Sequence, residues 1–450
     1  MHTVIIGNGI SGITCARWIR KLSDNHQITV ISKETEFFYS RTALMYIYMG
    51  HMRFEDTKPY EDWFWKKNRI DLLQDEVLSI DFHQKALQLK NADSISYDKL
   101  VLALGSKSNK FGWPGQDLNG VSGLYHYQDL ETIEAYSKDL NKAVIVGGGL
   151  IGIELAEMFH SRHIPVTMLV RETSYWNNIL PPEESELVTK HIHEHGIDLR
   201  LGVNLDEISD NGSGSVKAVT IKETGEKIDC GYVGLTAGVS ANVDFLKDSQ
   251  LEIGRGIKVN QHLETNISDV YAVGDCAEQQ NPMPGRRPIE AIWYTGRMMG
   301  EVAAYNICGE EKDYDPGIWF NSAKFLDIEY QVYGNVLNHV QEDQDSLYWE
   351  SEDSKKSIRL LYKKETGQID GFNLMGVRYR HEVCEKWLAE KSHIESVLES
   401  LSLANFDPEF YDSYESELLK LYNKRHGTKL SLKKKRNLNS VLAFLKSKIA

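Results

Sequence analysis

The sequence predicts an α/β protein built on two strand–turn–helix units of the parallel, doubly wound kind. Three observations predict it. Thr3–Ile6 is a short run of buried-strand character that breaks into glycines spaced G-x-G-x-x-G and continues as a helix-compatible run to Leu22. Residues 142–154 repeat that pattern 140 residues later. Each helix-compatible run is followed by a second apolar strand, Ile28–Ser32 and Pro165–Val170, the βαβ order that builds a parallel sheet.

In the first unit the glycines are Gly7, Gly9 and Gly12, with Ile10 and Ser11 between the last two. Gly7 permits a tight turn, Gly9 lets a pyrophosphate approach the backbone, and Gly12 lets helix and strand pack closely. The helix N-terminus then offers unpaired N–H groups and the positive end of its dipole. Such a site needs an acid after the next strand to hold ribose hydroxyls, and Glu34, beside Lys33, stands there.

Aromatic and then polar residues follow at Phe37–Leu44, and Arg41 is the cation near this turn that suits a phosphate or a ring edge. Lys58–Lys67 reads as a packed helix, and residues 70–89 as a small sheet. Tyr97–Ser106 reads as a strand ending at a glycine turn.

The second unit has Gly147, Gly149 and Gly152, with a helix expected to about His163. Two such units imply two dinucleotide-binding domains. Arg171 and Glu172 follow the second strand. An acid suits the free ribose hydroxyl of NAD and a cation the 2′-phosphate of NADP, so the choice stays open. Two later strands end at Gly238 and at Gly274-Asp275. An Asp in that place can accept a hydroxyl hydrogen bond while capping a helix that starts there.

The composition, 41% hydrophobic and 26% charged over 450 residues, is that of a globular protein of two or three domains. No run approaches the roughly 18 apolar residues of a membrane span, and no secretory leader is expected ahead of the first strand. The five cysteines, Cys15, Cys230, Cys276, Cys308 and Cys384, are scattered without C-x-x-C or C-x4-C spacing. That argues against a disulfide framework, a metal cluster and a dithiol site, and fits a cytoplasmic setting. His381 and Cys384 read as structural, and no metal is expected. The net charge of −14 is unevenly placed: Lys420 to Ala450 holds ten Lys/Arg and no acid, leaving 41 basic against 65 acidic residues elsewhere. An acidic body is a poor nucleic-acid surface.

Taken together, these motifs resemble the two-dinucleotide-binding-domain flavoproteins of the pyridine nucleotide–disulfide oxidoreductase superfamily, over roughly residues 3–305. The resemblance implies a fold of two Rossmann-like domains, the NAD(P)H domain inserted in the FAD domain, with a C-terminal α+β interface domain and a helical tail. It divides the chain into 1–116 with 250–314 for FAD, 117–249 for NAD(P)H, 315–400 for the interface domain and 401–450 for the tail. Gly7, Gly9, Gly12 and Glu34 match the FAD motif; Tyr39-Ser40-Arg41 matches a short motif beside the flavin. Ala103-Leu104-Gly105-Ser106 resembles an Ala-Thr-Gly-Ser turn. Gly147, Gly149, Gly152 and Glu154 match the NAD(P)H motif, Gly238 an A-x-G turn, and Gly274-Asp275 the ribitol-binding motif. Ile10, Ser11, Lys33, Val77, Ile151 and Arg171 complete the implied cofactor contacts.

Ala43 occupies about the place where single-cysteine relatives keep a thiol, and no C-x4-C pair is present. The chain therefore looks like the ferredoxin- and rubredoxin-reductase and nitrite-reductase-like branch, which passes electrons from flavin directly to an acceptor. Ile289–Gly300 resembles that branch's Glu-Ser-Trp…Gly segment and places Trp293 near the ring. Glu154, Arg41 and Trp293 are the expected reaction zone. The implied cofactors are FAD and NAD(P)H, the implied acceptor a redox protein or small molecule, and the interface domain often dimerises. The alternatives are a membrane-surface, type II-like NADH dehydrogenase and a slow-turnover flavin sensor resembling apoptosis-inducing factor.

Beyond the resemblance, Trp387–Leu403 has a helical pattern. Lys433–Arg436 precedes Leu438, Val441, Leu442, Leu445 and Ile449, an apolar face at helical spacing. Such a basic, amphipathic end suits an anionic membrane, an acidic partner or the acidic body itself.

Overall fold

The computed structural model describes residues 1–407, 410 and 412–433. The Lys434–Arg436 cations and the apolar positions from Leu438 to Ile449 lie outside the described residues. The chain divides into two compact units, Met1–Trp176 with Ile192–Gly317, and Asn177–His191 with the chain from Ile318 onward.

The first unit holds both glycine motifs, each on its own parallel sheet. In the first sheet, strand His2–Ile6 lies between Gln27–Ser32 and Lys99–Leu102, with Asp71–Gln74 and Val270–Ala272 at the edges. In the second, Ala143–Val146 lies between Val166–Val170 and Tyr232–Leu235, with Asp198–Leu201 and Val121–Ser122 outside. The central strands are almost wholly buried, as parallel sheets covered on both faces require.

Helix Ile10–Leu22 packs closely against helix Trp293–Ile307, because the latter carries a glycine notch. A Cβ on Gly300 would sit 2.2 Å from the Ser11 carbonyl oxygen, and one on Gly296 2.9 Å from Ser11 Oγ. This crossing sets Trp293, the first residue of its helix, on the element that packs against the first glycine loop.

Three expectations shift. Within residues 70–89, Asp71–Gln74 joins the parallel sheet as an edge strand, while Val77–Asp81 and Ala86–Leu89 form a separate antiparallel sheet with Ile95–Ser96. The helix expected over 58–67 covers only Asp62–Lys67, since Glu61 is extended at its start. The helix expected over 387–403 is two, His381–Ala389 and Ile394–Ser400, with Lys391 in the left-handed region between them.

The second unit is a five-stranded antiparallel sheet in the order Phe320–Phe325, Ile328–Gly334, Ile369–Met375, Ser357–Lys363, Gln344–Glu350. Its helices, including Glu415–His426, share one core with it. Segment Asn177–His191, which the expected partition keeps with the second glycine motif, belongs here. Glu184, fully buried, accepts two hydrogen bonds from Arg359 at 2.7 and 2.8 Å, and Asn373 donates a third at 3.2 Å. No helix among the described residues is long and apolar enough to cross a membrane.

Candidate active site

The two glycine loops are built alike. Gly7 and Gly147 have φ of +112° and +119°, and a Cβ on either would strike backbone atoms, Ala103 O at 2.1 Å and Thr236 O at 2.6 Å. A Cβ on Gly12 would lie 2.1 Å from Gly7 O, and one on Gly152 2.4 Å from Gly147 O. Gly9 and Gly149 face open space, with nothing within 4 Å of a Cβ. Each is the N-cap of its helix, Ile10–Leu22 or Leu150–Ser161, and neither helix has a side-chain cap. Each loop thus uses two glycines for backbone closure and one for access.

Beyond the first loop, Glu34 is the centre of a hydrogen-bonded cluster. Arg41 donates to both its oxygens, at 3.0 and 2.7 Å. Tyr39 donates its hydroxyl and Tyr127 its backbone N–H, the latter at 2.9 Å. His126 Nδ1 stands 3.3 Å from Oε2. Burial alone would raise the Glu34 carboxyl. The nearness of His126, the bonds from Arg41 and Tyr39 and the charge of Arg41 overcome it and hold the group well below the usual carboxylate range.

Arg41 also donates to the Tyr125 carbonyl and lies 4.6 Å over the Tyr125 ring. The Tyr125 hydroxyl in turn donates to Asp275 Oδ2 at 3.1 Å, as does Ser106 Oγ, and it accepts the Ser106 N–H at 2.8 Å. Burial pushes the Asp275 carboxyl up, against those two hydrogen bonds. A Cβ on Gly105 (φ +67°) would lie 2.8 Å from the Tyr125 hydroxyl. Gly274 (φ +76°) lies against Ser11 Oγ, and Ala103 N–H donates to Ile6 O, so the strand ends at 6, 103 and 274 meet. Ile10 and Ser11 occupy the first turn of the loop's helix.

At the second loop, Ile151 and Glu154 stand on the first turn and a half of helix Leu150–Ser161, and Tyr175 donates to the Gly149 carbonyl at 3.1 Å. Arg171 is 74% exposed and its Nε donates to Glu172 at 2.8 Å, so both candidates for the ribose position are present and paired. Gly238 (φ +87°) accepts the Asn109 N–H. Trp293 has the Arg297 guanidinium 6.0 Å from its ring centre. Lys33 and Val77 are not drawn into the Glu34–Asp275 network. Lys33 pairs with Glu76 at 3.4 Å on the surface, and Val77 starts an antiparallel strand.

Sequence reasoning missed Tyr125, His126 and Tyr127. They lie some 90 residues after Glu34, in a stretch with no glycine motif of its own. Gly123 ahead of them was the available signal, as the end of a short strand. All five cysteines are free, and burial pushes the Cys230 and Cys276 thiols up to about 12, which leaves them inert.

These residues fit FAD and NAD(P)H. Two uncapped helix N-termini face open space at Gly9 and Gly149, suited to pyrophosphate. The hydrogen bonds from Ser106 and Tyr125 fall on a single Asp275 oxygen, so the other can face a ribitol hydroxyl.

Comparison with known proteins agrees. The family model for pyridine nucleotide-disulphide oxidoreductases matches residues 1–300. The chain is 32% identical over 340 residues to the NADH oxidase of Methanocaldococcus jannaschii, covering 73% of this chain and 75% of that one. It is 30% identical over 375 residues to the NADH-rubredoxin oxidoreductase of Clostridium acetobutylicum, covering 83% and 90%. The crystal structure of NADH:rubredoxin oxidoreductase from Clostridium acetobutylicum superposes with a TM-score of 0.67 at 27% identity, covering 88% of this chain and 95% of that one. The chain belongs to the pyridine nucleotide-disulphide oxidoreductase family, whose members are oxidoreductases that bind FAD and NAD(P)H.

Proposed function

We propose that this chain carries electrons from NAD(P)H to a small redox protein of the rubredoxin or ferredoxin class, without using a protein thiol. The observation that carries the reading is the twin-loop geometry, in which the first loop, among the described residues, leads to two half-buried carboxylates, Glu34 and Asp275. FAD is assigned to residues 1–116 with 250–314, and NAD(P)H to 117–249 apart from the segment Asn177–His191. Bound FAD would accept hydride from the nicotinamide and release electrons to the acceptor.

The chain's own part is placement. The N–H groups at Gly9–Gly12 and Gly149–Gly152 hold the two pyrophosphates. Glu34 and Asp275 accept hydroxyl hydrogens, and Arg41 fixes Glu34 while adding positive field beside the first loop. Gly105 and Gly238 would keep the backbone close, and Glu154 and Trp293 would border the rings once both cofactors are bound. The absence of cysteine between Cys15 and Cys230 supports direct electron transfer, with Ala43 in the turn Arg41–Ala43. The same proposal includes a cytoplasmic setting and a homodimer through the 315–400 domain. It also includes a contact of residues 401–450 with an acidic redox partner or anionic membrane.

Anaerobic stopped-flow reduction of the purified holoprotein with NADH and with NADPH tests it, followed by mixing with rubredoxin, ferredoxin, quinone or oxygen. Fast reduction, fast reoxidation by a redox protein and indifference to thiol alkylation are expected. Protein that binds no flavin, or that is reduced and then reoxidised by no acceptor, would sink the reading.

A further inference from the structure

A cleft in the first unit is lined by none of the residues named above as cofactor contacts. It encloses about 340 Å3, its open mouth included, and is lined by Gln261, Gln279, Arg286, Arg287, Glu290 and Tyr314 among others. Gln279 and Tyr314 are each only 7% exposed. Gln279 Nε2 and the Tyr314 hydroxyl are buried, and neither has a hydrogen-bond partner. Buried donors in folded proteins are nearly always satisfied, by protein, water or ligand, so two orphans in one cleft mark a place where something binds.

Charge decides what binds. Arg286 and Glu290 neutralise one another, with Nε and a terminal nitrogen donating at 2.7 and 2.6 Å and side chains 8% and 4% exposed. Arg287 has no carboxylate partner among the described residues, which leaves the cleft with one unmatched positive charge. Two neutral donors and one cation ask for an acceptor bearing a single negative charge. Two donors and a single cation offer too few groups for a polyanion and suit a small, singly charged ion such as chloride or nitrate.

We propose that this cleft is a binding site for a small monoanion, held by Gln279 Nε2 and the Tyr314 hydroxyl and balanced by Arg287. The ion would lie against the Arg286–Glu290 pair. Glu290 also anchors the start of the Trp293 helix, since its carbonyl accepts Thr295 Oγ1 at 3.0 Å.

Crystals of the full chain soaked in bromide test the site directly, through anomalous density in the cleft. In parallel, thermal unfolding of the holoprotein is followed in chloride, bromide, nitrate and formate against sulfate at constant ionic strength. A bromide peak between Gln279 and Tyr314 is expected, with a saturable rise in Tm from monoanions. Arg287→Gln, at an exposed position that tolerates the change, should weaken the apparent affinity about tenfold, and Tyr314→Phe similarly. A cleft holding only water, or an equal Tm rise in Arg287→Gln and the parent, overturns the proposal. None of these readouts depends on flavin reduction, so failure here is distinguishable from failure of the proposed function.

Discussion

Arg41 grips both carboxylate oxygens of Glu34, at 3.0 and 2.7 Å, in a bidentate pair whose side chains are 29% and 10% exposed. The two residues are seven apart in sequence, on either side of an aromatic turn. The acid that follows the second strand of the first sheet is thus aimed by a cation seven residues on. Planar, two-point pairing of this sort fixes orientation as well as charge.

Arg41→Ala should therefore cost more than the loss of an ordinary surface arginine. It leaves Glu34 a buried carboxylate without its main partner, at about 2–3 kcal/mol, less than a fully buried pair because Arg41 keeps partial solvent contact. Arg41→Lys should recover only part, since an ammonium cannot make the fork. Urea unfolding of the FAD-free protein measures both. Equal stability of Arg41→Ala and the parent would show the pair to be ornamental.

Acid sensitivity arises in the same cluster. The Glu34 pKa is depressed in the folded protein, so its stabilisation is present above the unfolded value of about 4.3 and is lost as pH falls through the folded value. The stability of the parent should drop more steeply than that of Glu34→Gln as pH is lowered from about 5 towards 3. Parallel curves would remove Glu34 from the acid sensitivity.

Asp275 runs the other way. Its folded pKa is raised, so above the unfolded value of about 3.9 the charged carboxylate weakens the FAD-free fold. Asp275→Asn should raise the Tm of the FAD-free protein at pH 7 while weakening FAD binding at least tenfold, as titration followed by flavin fluorescence would read. A variant that loses both stability and FAD would argue that Asp275 is structural.

The second loop separates access from closure. Gly149 faces open space at ordinary φ, so Gly149→Val should fold, retain FAD and lose reduction by NAD(P)H. Gly152→Val places a side chain against Gly147 O, from which its Cβ alone would stand only 2.4 Å, and should destabilise the fold itself. Circular dichroism melts beside anaerobic reduction rates distinguish the two outcomes.

The sequence by itself determined both glycine loops, the strands that frame them and the two carboxylates at Glu34 and Asp275. These are local demands: a positive φ at Gly7 and Gly147 and buried apolar runs for parallel strands can be read from neighbours within a few residues. What only the tertiary structure decided lies at long range. Tyr125 bridges Arg41 and Asp275 although it is 84 residues from one and 150 from the other. The Arg286–Glu290 pair, four residues apart, shows no sign in sequence that it is almost wholly buried. Segment Asn177–His191 joins the C-terminal sheet because Glu184 meets Arg359, 175 residues away. A hydrogen bond's local pattern is fixed by chain geometry, whereas a partner's identity is fixed only when folding closes the loop between them and takes both groups out of water.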